Sequence, residues 1–242
     1  MHRFLFLFYL TATLTVYGQY PFDKFPAIKY KEYNTWKQNF KSPNKVENSL
    51  TVTKFFKSKD SLTIKITYPT TSWDSSFISI YRNSKQLQTF FEPLGFKPFE
   101  PVRLADFNGD HLTDIKLILP YMGNGTAALN VRVVYLLQQK DGSFTKVSFF
   151  DKMAKNRPER DLNGDGNYEI ITMTLMGYQN HSYWLFNLFN FKNIDLISVN
   201  NQHNYPILIQ FLYRDNYKIT NKMTQQKMKE YAHKKPEEYD RQ

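Results

Sequence analysis

The sequence predicts a mostly-β fold of blade-like antiparallel repeats with a helix at the C-terminal end. Three observations carry that reading. From Ser49 onward, short runs rich in β-branched and aromatic residues recur, broken by Asn, Ser, Asp or Pro. A nine-residue acidic motif starts at Asp106 and again at Asp161, 55 residues later. The one stretch with a helical apolar face lies near the C-terminal end.

Composition bounds the rest. The chain has 242 residues, 32 Lys+Arg against 22 Asp+Glu, a formal net charge of +10 and no cysteine. Without cysteine, a disulfide scaffold and a thiolate zinc site are excluded. Only 9 Gly and 11 Pro exclude a collagen-like chain, while 21 Phe, 17 Tyr and 3 Trp supply ample surface for a packed core.

Residues 1–18 read as an export signal: His2 and Arg3 form a short basic start, Phe4 to Leu10 are continuously apolar, and Val16-Tyr17-Gly18 resembles a small-residue cleavage site. The apolar run is too short to span a bilayer, which needs about 20 residues. No later apolar stretch is long enough either, so no transmembrane segment is expected in the mature chain. The expected location is exported, periplasmic or secreted. Residues 19–48, rich in Lys, Asn and aromatics with Pro21 and Pro26, read as an irregular lead-in with a short helix near Lys31–Phe40.

A β domain is expected over 49–220. Leu50-Val52, Leu62-Ile64-Ile66, Phe77–Tyr81 and Leu87–Phe91 are alternating or apolar runs. Further strands are expected at 113–119, 129–138, 144–150, 168–175, 182–191, 194–199 and 206–213, with hairpin turns at Asn83-Ser84 and Lys140–Ser143. Asn221 is placed to cap a helix over Lys222–Lys235, ended by Pro236, and the charged residues 237–242 are expected to fray.

The repeated motif is the most informative feature. Asp106-Phe107-Asn108-Gly109-Asp110-His111-Leu112-Thr113-Asp114 is matched by Asp161-Leu162-Asn163-Gly164-Asp165-Gly166-Asn167-Tyr168-Glu169. Each motif feeds a strand-like run, which divides the domain into repeats at about 101–155 and 156–200. Calcium takes six to eight oxygens, and a tightly wound loop turns alternate side chains inward. Asp106, Asn108, Asp110 and Asp114, with the Leu112 carbonyl, are the first candidate set. Asp161, Asn163, Asp165 and Glu169, with the Asn167 carbonyl, are the second. An EF-hand would need Glu at position twelve, where Leu117 and Thr172 stand, so that reading fails. The alternative is a pair of Asx-type turns satisfied by their own backbone.

The D-x-N-G-D-x-x-x-[DE] pattern followed by an apolar strand resembles the calcium loops of FG-GAP/VCBS-type repeats. The resemblance covers roughly 101–200 and implies Ca2+ as a structural ion and a small or partial β-propeller, with a β-sandwich as the alternative. His111 departs from the family's usual glycine, and Glu169 from its final Asp. Residues 49–100 carry no acidic loop and form either atypical blades or a sheet packed on the repeats. Small calcium-loop propellers also include exported inhibitors of lysozyme-like peptidoglycan hydrolases, which the resemblance brings into consideration.

Signatures of catalysis are missing. His2, His111, His181, His203 and His233 form no H-E-x-x-H or H-x-x-E-H pair, and no G-x-S-x-G, P-loop or G-x-G-x-x-G pattern occurs. Lysines gather at both ends, Lys24, Lys29, Lys31, Lys37, Lys41 and Lys45 near the start and Lys222, Lys227, Lys229, Lys234 and Lys235 at the end. They read as a solvated surface or as attraction to an anionic partner, a glycan or a protein, and nucleic acid is not expected. Positive charge also disfavours a basic lysozyme as partner. Tyr178, Tyr183, Trp184 and Phe186 are candidates for a contacting face or for core. The expectation is an exported, calcium-stabilised, non-catalytic binding protein; the alternatives are an inhibitor of lysozyme-like hydrolases and a carbohydrate-active enzyme with a carboxylate pair.

Overall fold

The computed structural model describes residues 20–70, 75–93, 100–120, 124–152, 157–211 and 223–242. The expected export segment, the expected cap Asn221 and the rest of 212–222 lie outside these residues.

Polar–apolar alternation of period two makes strands, and nearly every described element is one. The chain opens with β1 (Lys31–Tyr33) and then forms a five-stranded meander of β2 (Lys37–Ser42), β3 (Lys45–Val52), β4 (Leu62–Pro69), β5 (Ser76–Arg82) and β6 (Lys85–Glu92). A second meander follows as β7 (Val102–Ala105), β8 (Asp114–Pro120), β9 (Asn130–Gln138) and β10 (Phe144–Lys152). A third sheet contains β11 (Ile170–Tyr178), β12 (His181–Lys192), β13 (Asp195–Ser198) and β14 (Ile207–Gln210), with β12 pairing β11, β13 and β14. Helix α1 (Gln225–Lys229) and β15 (Asp240–Arg241) complete the chain. The second meander takes β1 on one edge and β15 on the other, giving a six-stranded sheet in the order β1-β7-β8-β9-β10-β15. Every pairing between these strands is antiparallel.

The six-stranded sheet is buried on both faces, as β9 makes plain. Val134 and Leu136 join a cluster with Leu50, Ile64, Ile66 and Ile80 of the five-stranded sheet. Val131, Val133, Tyr135 and Leu137, one residue out of phase, join a cluster with Ile170, Phe189, Phe191 and Leu196 of the third sheet. The far face of the third sheet packs Met173, Trp184, Phe186 and Leu188 on Phe22, Val199 and Tyr205. The architecture is therefore mostly β, with three antiparallel sheets stacked in layers, and no closed barrel occurs among the described residues. The first acidic repeat supplies the central layer and the second the next one. The meander that lacks the motif forms a sheet packed on the first repeat.

Burying a sheet on both faces also buries its polar residues, and these are paired across the layers. Between the five-stranded and central sheets, Glu92 accepts hydrogen bonds from Arg132 Nε at 2.9 Å and Lys146 Nζ at 2.7 Å. Between the central and third sheets, Glu159 accepts from Lys116 Nζ at 2.5 Å and from the hydroxyls of Tyr30 and Tyr135. Beside it, Arg157 Nη2 meets Asp151 Oδ2 at 2.5 Å. A cavity of about 10 Å³ lies among these groups, room for about one water.

Four expectations need correction. The lead-in is not irregular throughout, since β1, β2 and the start of β3 lie within 31–48. The helix expected near Lys31–Phe40 is absent because that segment's backbone pairs with β7 and β3 instead. The terminal helix covers only Gln225–Lys229, and its cap is Thr224, whose Oγ1 accepts from Lys227 N. The last residues do not fray: Gln242 and Lys146 exchange backbone hydrogen bonds, and Asp240 Oδ2 accepts from Lys146 Nζ at 2.8 Å. Of the four aromatics offered as a contacting face or as core, Tyr183, Trp184 and Phe186 are core, at 2%, 8% and 0% exposure, and Tyr178 is half-buried.

Candidate metal loops

Both acidic motifs sit where the chain turns into a long strand, β8 in the first copy and β11 in the second. Aspartate at position one closes each turn on itself. Asp106 Oδ1 accepts from the N–H of Gly109 (2.7 Å) and Asp110 (3.2 Å), and its Oδ2 accepts from His111 N at 2.8 Å. Asp161 repeats this with Gly164 (2.7 Å), Asp165 (3.2 Å) and Gly166 (3.1 Å). Positions three and five follow suit. Asn108 Oδ1 accepts from Asp110 N and Asp110 Oδ1 from Leu112 N; Asn163 Oδ1 accepts from Asp165 N and Asp165 Oδ1 from Asn167 N. The amide of Asn108 donates to Asp110 Oδ2 at 3.1 Å, that of Asn163 to Asp165 Oδ2 at 2.9 Å. The side chains at one, three and five are thus brought together in each loop.

Position nine behaves differently. Asp114 Oδ2 accepts from Phe107 N at 3.0 Å and its Oδ1 from Gln138 N at 2.8 Å. Glu169 Oε2 accepts from Leu162 N at 2.9 Å and its Oε1 from the Asn190 amide at 3.3 Å, with His203 Nε2 3.9 Å away. These two carboxylates clamp the base of each loop to a neighbouring strand. The acidic motif alone did not reveal Gln138, Asn190 or His203, which reach the loops from β9, β12 and the turn after β13.

Electrostatics record the crowding. Burial pushes the Asp114 carboxyl up to about 7; the Phe107 and Gln138 N–H groups oppose this, and the Asp110 and Asp106 charges add to it. Glu169 is also raised, chiefly by burial, against the Leu162 N–H and the His203 ring. An all-oxygen donor set is the chemistry a hard cation takes, and the residues at positions one, three and five fit one. Among the described residues, no group of three or more His, Asp or Glu is arranged to hold a metal ion.

Two backbone positions in each loop have positive φ: Gly109 (76°) and His111 (63°), then Gly164 (79°) and Gly166 (85°). The loops also touch, since a Cβ on Gly109 would fall 2.8 Å from Asn167 Oδ1, while one on Gly164 meets nothing within 4 Å. Asn167 is exposed and free to swing aside, so left-handed strain dominates both sites. Gly109→Ala and Gly164→Ala are each expected to cost about 1–3 kcal/mol in denaturant unfolding. A much larger loss for Gly109→Ala alone would mean that the loop–loop contact is rigid.

None of the family models, curated proteins and solved structures compared with this chain matches it.

Proposed function

We propose that this chain is an exported, calcium-stabilised, non-catalytic binding protein of the cell envelope or extracellular space, with the two acidic loops as its calcium sites. One observation carries the reading. Two loops 55 residues apart adopt the same hydrogen-bond pattern, atom for atom, at positions one, three and five, each at the entry to the first long strand of a different sheet. The backbone N–H groups that these side chains hold leave their charge in place, and three carboxylates recur within nine residues of each loop; a bound dication relieves their mutual repulsion. Ligands in the first loop would be Asp106, Asn108, Asp110, Asp114 and the Leu112 carbonyl. In the second they would be Asp161, Asn163, Asp165, Glu169 and the Asn167 carbonyl. The ion would exchange some of the N–H partners of these oxygens and fix the register of β8 and β11.

The non-catalytic part rests on where the buried carboxylates point. Glu92, Asp151 and Glu159 are spent on buried cations and tyrosine hydroxyls, not on a cleft. Export rests on the sequence pattern of residues 1–18, and no described helix is long and apolar enough to cross a membrane.

Chelation is expected to lower the melting temperature by several degrees. Calcium at about a hundredfold excess over Kd should restore about 2.7 kcal/mol per independent site. Asp161→Ala/Asp165→Ala should remove the second loop's share of the binding heat. Calorimetric titration of stripped protein that gives no heat, with a melting curve indifferent to calcium, would end this reading.

A further inference from the structure

β2 is an open edge of the five-stranded sheet. It pairs with β3 on one side, and among the described residues no hydrogen bond reaches its backbone from the other. All six of its residues are exposed. Its two faces differ in chemistry. Phe40 lies opposite the core residue Val46 and so points to the inner face, where at 76% exposure it is the most exposed large hydrophobic residue described. Lys37 and Asn39, opposite Ser49 and Glu47, point to the outer face, and Lys41 Nζ lies 3.3 Å from Glu47. Glu47, also 3.7 Å from Lys65, is the one carboxylate on β2, β3 and β4, against four lysines, Lys37, Lys41, Lys45 and Lys65. The strip therefore keeps an excess of positive charge after every pairing within it.

We infer that this edge takes an extended acidic segment of a partner protein as a sixth strand. An open edge presents N–H and C=O groups at the spacing of a polypeptide strand, which an extended peptide matches along its length. Lysine at an edge keeps identical edges apart, and a chain of net charge +10 repels its own copies. The groups that disfavour a second copy are those that admit an acidic strand. Alternation then sets the partner's pattern: acidic residues on the outer face beside Lys37 and Lys41, and apolar residues on the inner face beside Phe40. Six residues make a small interface, at the scale of a reversible encounter. The inference names a partner class for the binding-protein reading, on which it rests, and it does not depend on calcium.

The test is calorimetric titration in chelator with a short peptide of alternating Glu and Val. Its comparators are the same peptide with Lys for Glu, a block peptide of the same composition, and two N-methylated forms, one at every Glu amide and one at every Val amide. The alternating peptide should bind, weakening as salt rises past about 0.1 M, where screening falls to about 10 Å. Amide groups alternate between the two edges of a strand, so one methylated form should lose binding and the other keep it. Lys37→Glu/Phe40→Thr should lose about tenfold or more in affinity at an unchanged melting temperature, since both side chains are exposed. Lys229→Gln/Lys234→Gln, on the C-terminal segment, should bind like the parent. No binding, equal binding of the Lys or block peptide, or any methylation result other than loss in one form alone would overturn the inference. So would equal loss in both variants, or none in the edge variant. Self-association of the parent without peptide binding would assign the edge to a second copy instead. A separate titration with calcium alone distinguishes the readings: peptide binding without calcium heat keeps the edge and drops the ion, and the reverse drops the edge.

Discussion

Glu92→Ala is expected to destabilise the protein by about 3–5 kcal/mol, read as a fall in the denaturant midpoint at unchanged slope. Glu92 is fully buried and holds Arg132 and Lys146, whose side chains are 2% and 0% exposed. Removing the carboxylate takes the one fully buried counterion from two cations in the seam between the five-stranded and central sheets. Their remaining partners would be Asp240 for Lys146 and the carboxylate and carbonyl of Glu238 for Arg132, both in the tail, together with Ser148 Oγ and the Phe91 carbonyl. Because the cost is buried cation charge left with part-exposed counterions only, the triple change Glu92→Leu/Arg132→Met/Lys146→Met should recover most of it. A loss below about 1 kcal/mol for Glu92→Ala would mean that water reaches this seam.

The second large effect is expected at Glu159. Glu159→Gln should cost about 3–5 kcal/mol, because Lys116, with a side chain 3% exposed, loses its counterion, and burial, which already lowers its pKa, then favours the uncharged amine. Burial alone would push the Glu159 carboxyl up, but the Lys116 charge and the hydrogen bonds from Lys116, Tyr135 and Tyr30 outweigh it and hold the group below its ordinary value of 4.5. A depressed carboxylate contributes stability above the unfolded value, lost as pH falls through the folded one. Wild type should thus lose this contribution below about pH 4.5, whereas Glu159→Gln has none to lose and its stability should fall less steeply there. Parallel acid limbs in the two proteins would place the acid sensitivity elsewhere.

These interior ions mark what the sequence conceals. Strand-type runs exposed β3 to β6 and β8 to β14 but not the four-residue β7, and Asn83-Ser84 was legible as a turn because both residues must take positive φ, here 44° and 71°. The twin loops were legible because their spacing and residue types repeat. In β2, Lys37 to Ser42 are all exposed, so no apolar alternation betrays a strand that pairing with β3 imposes. Nothing in the local sequence marks Lys116 and Lys146 as interior, which they are because the central sheet is covered twice. Their partners lie 43, 54 and 94 residues away in sequence. Likewise, nothing in Glu238-Tyr239-Asp240 says that Arg132, Asp195 and Lys146 await them.

The position of β15 has a consequence for colloidal behaviour. β10 runs nine residues with β9 along its whole length, while its other side meets β15 at Val147 and Ser148 and the flanking backbone of Glu237 and Gln242. That short, charged segment sheathes a long strand rich in Phe. An unsheathed β10 would offer open amides and carbonyls to any neighbouring chain, the usual seed of edge-to-edge aggregation. A few terminal residues thereby keep the middle layer from polymerising.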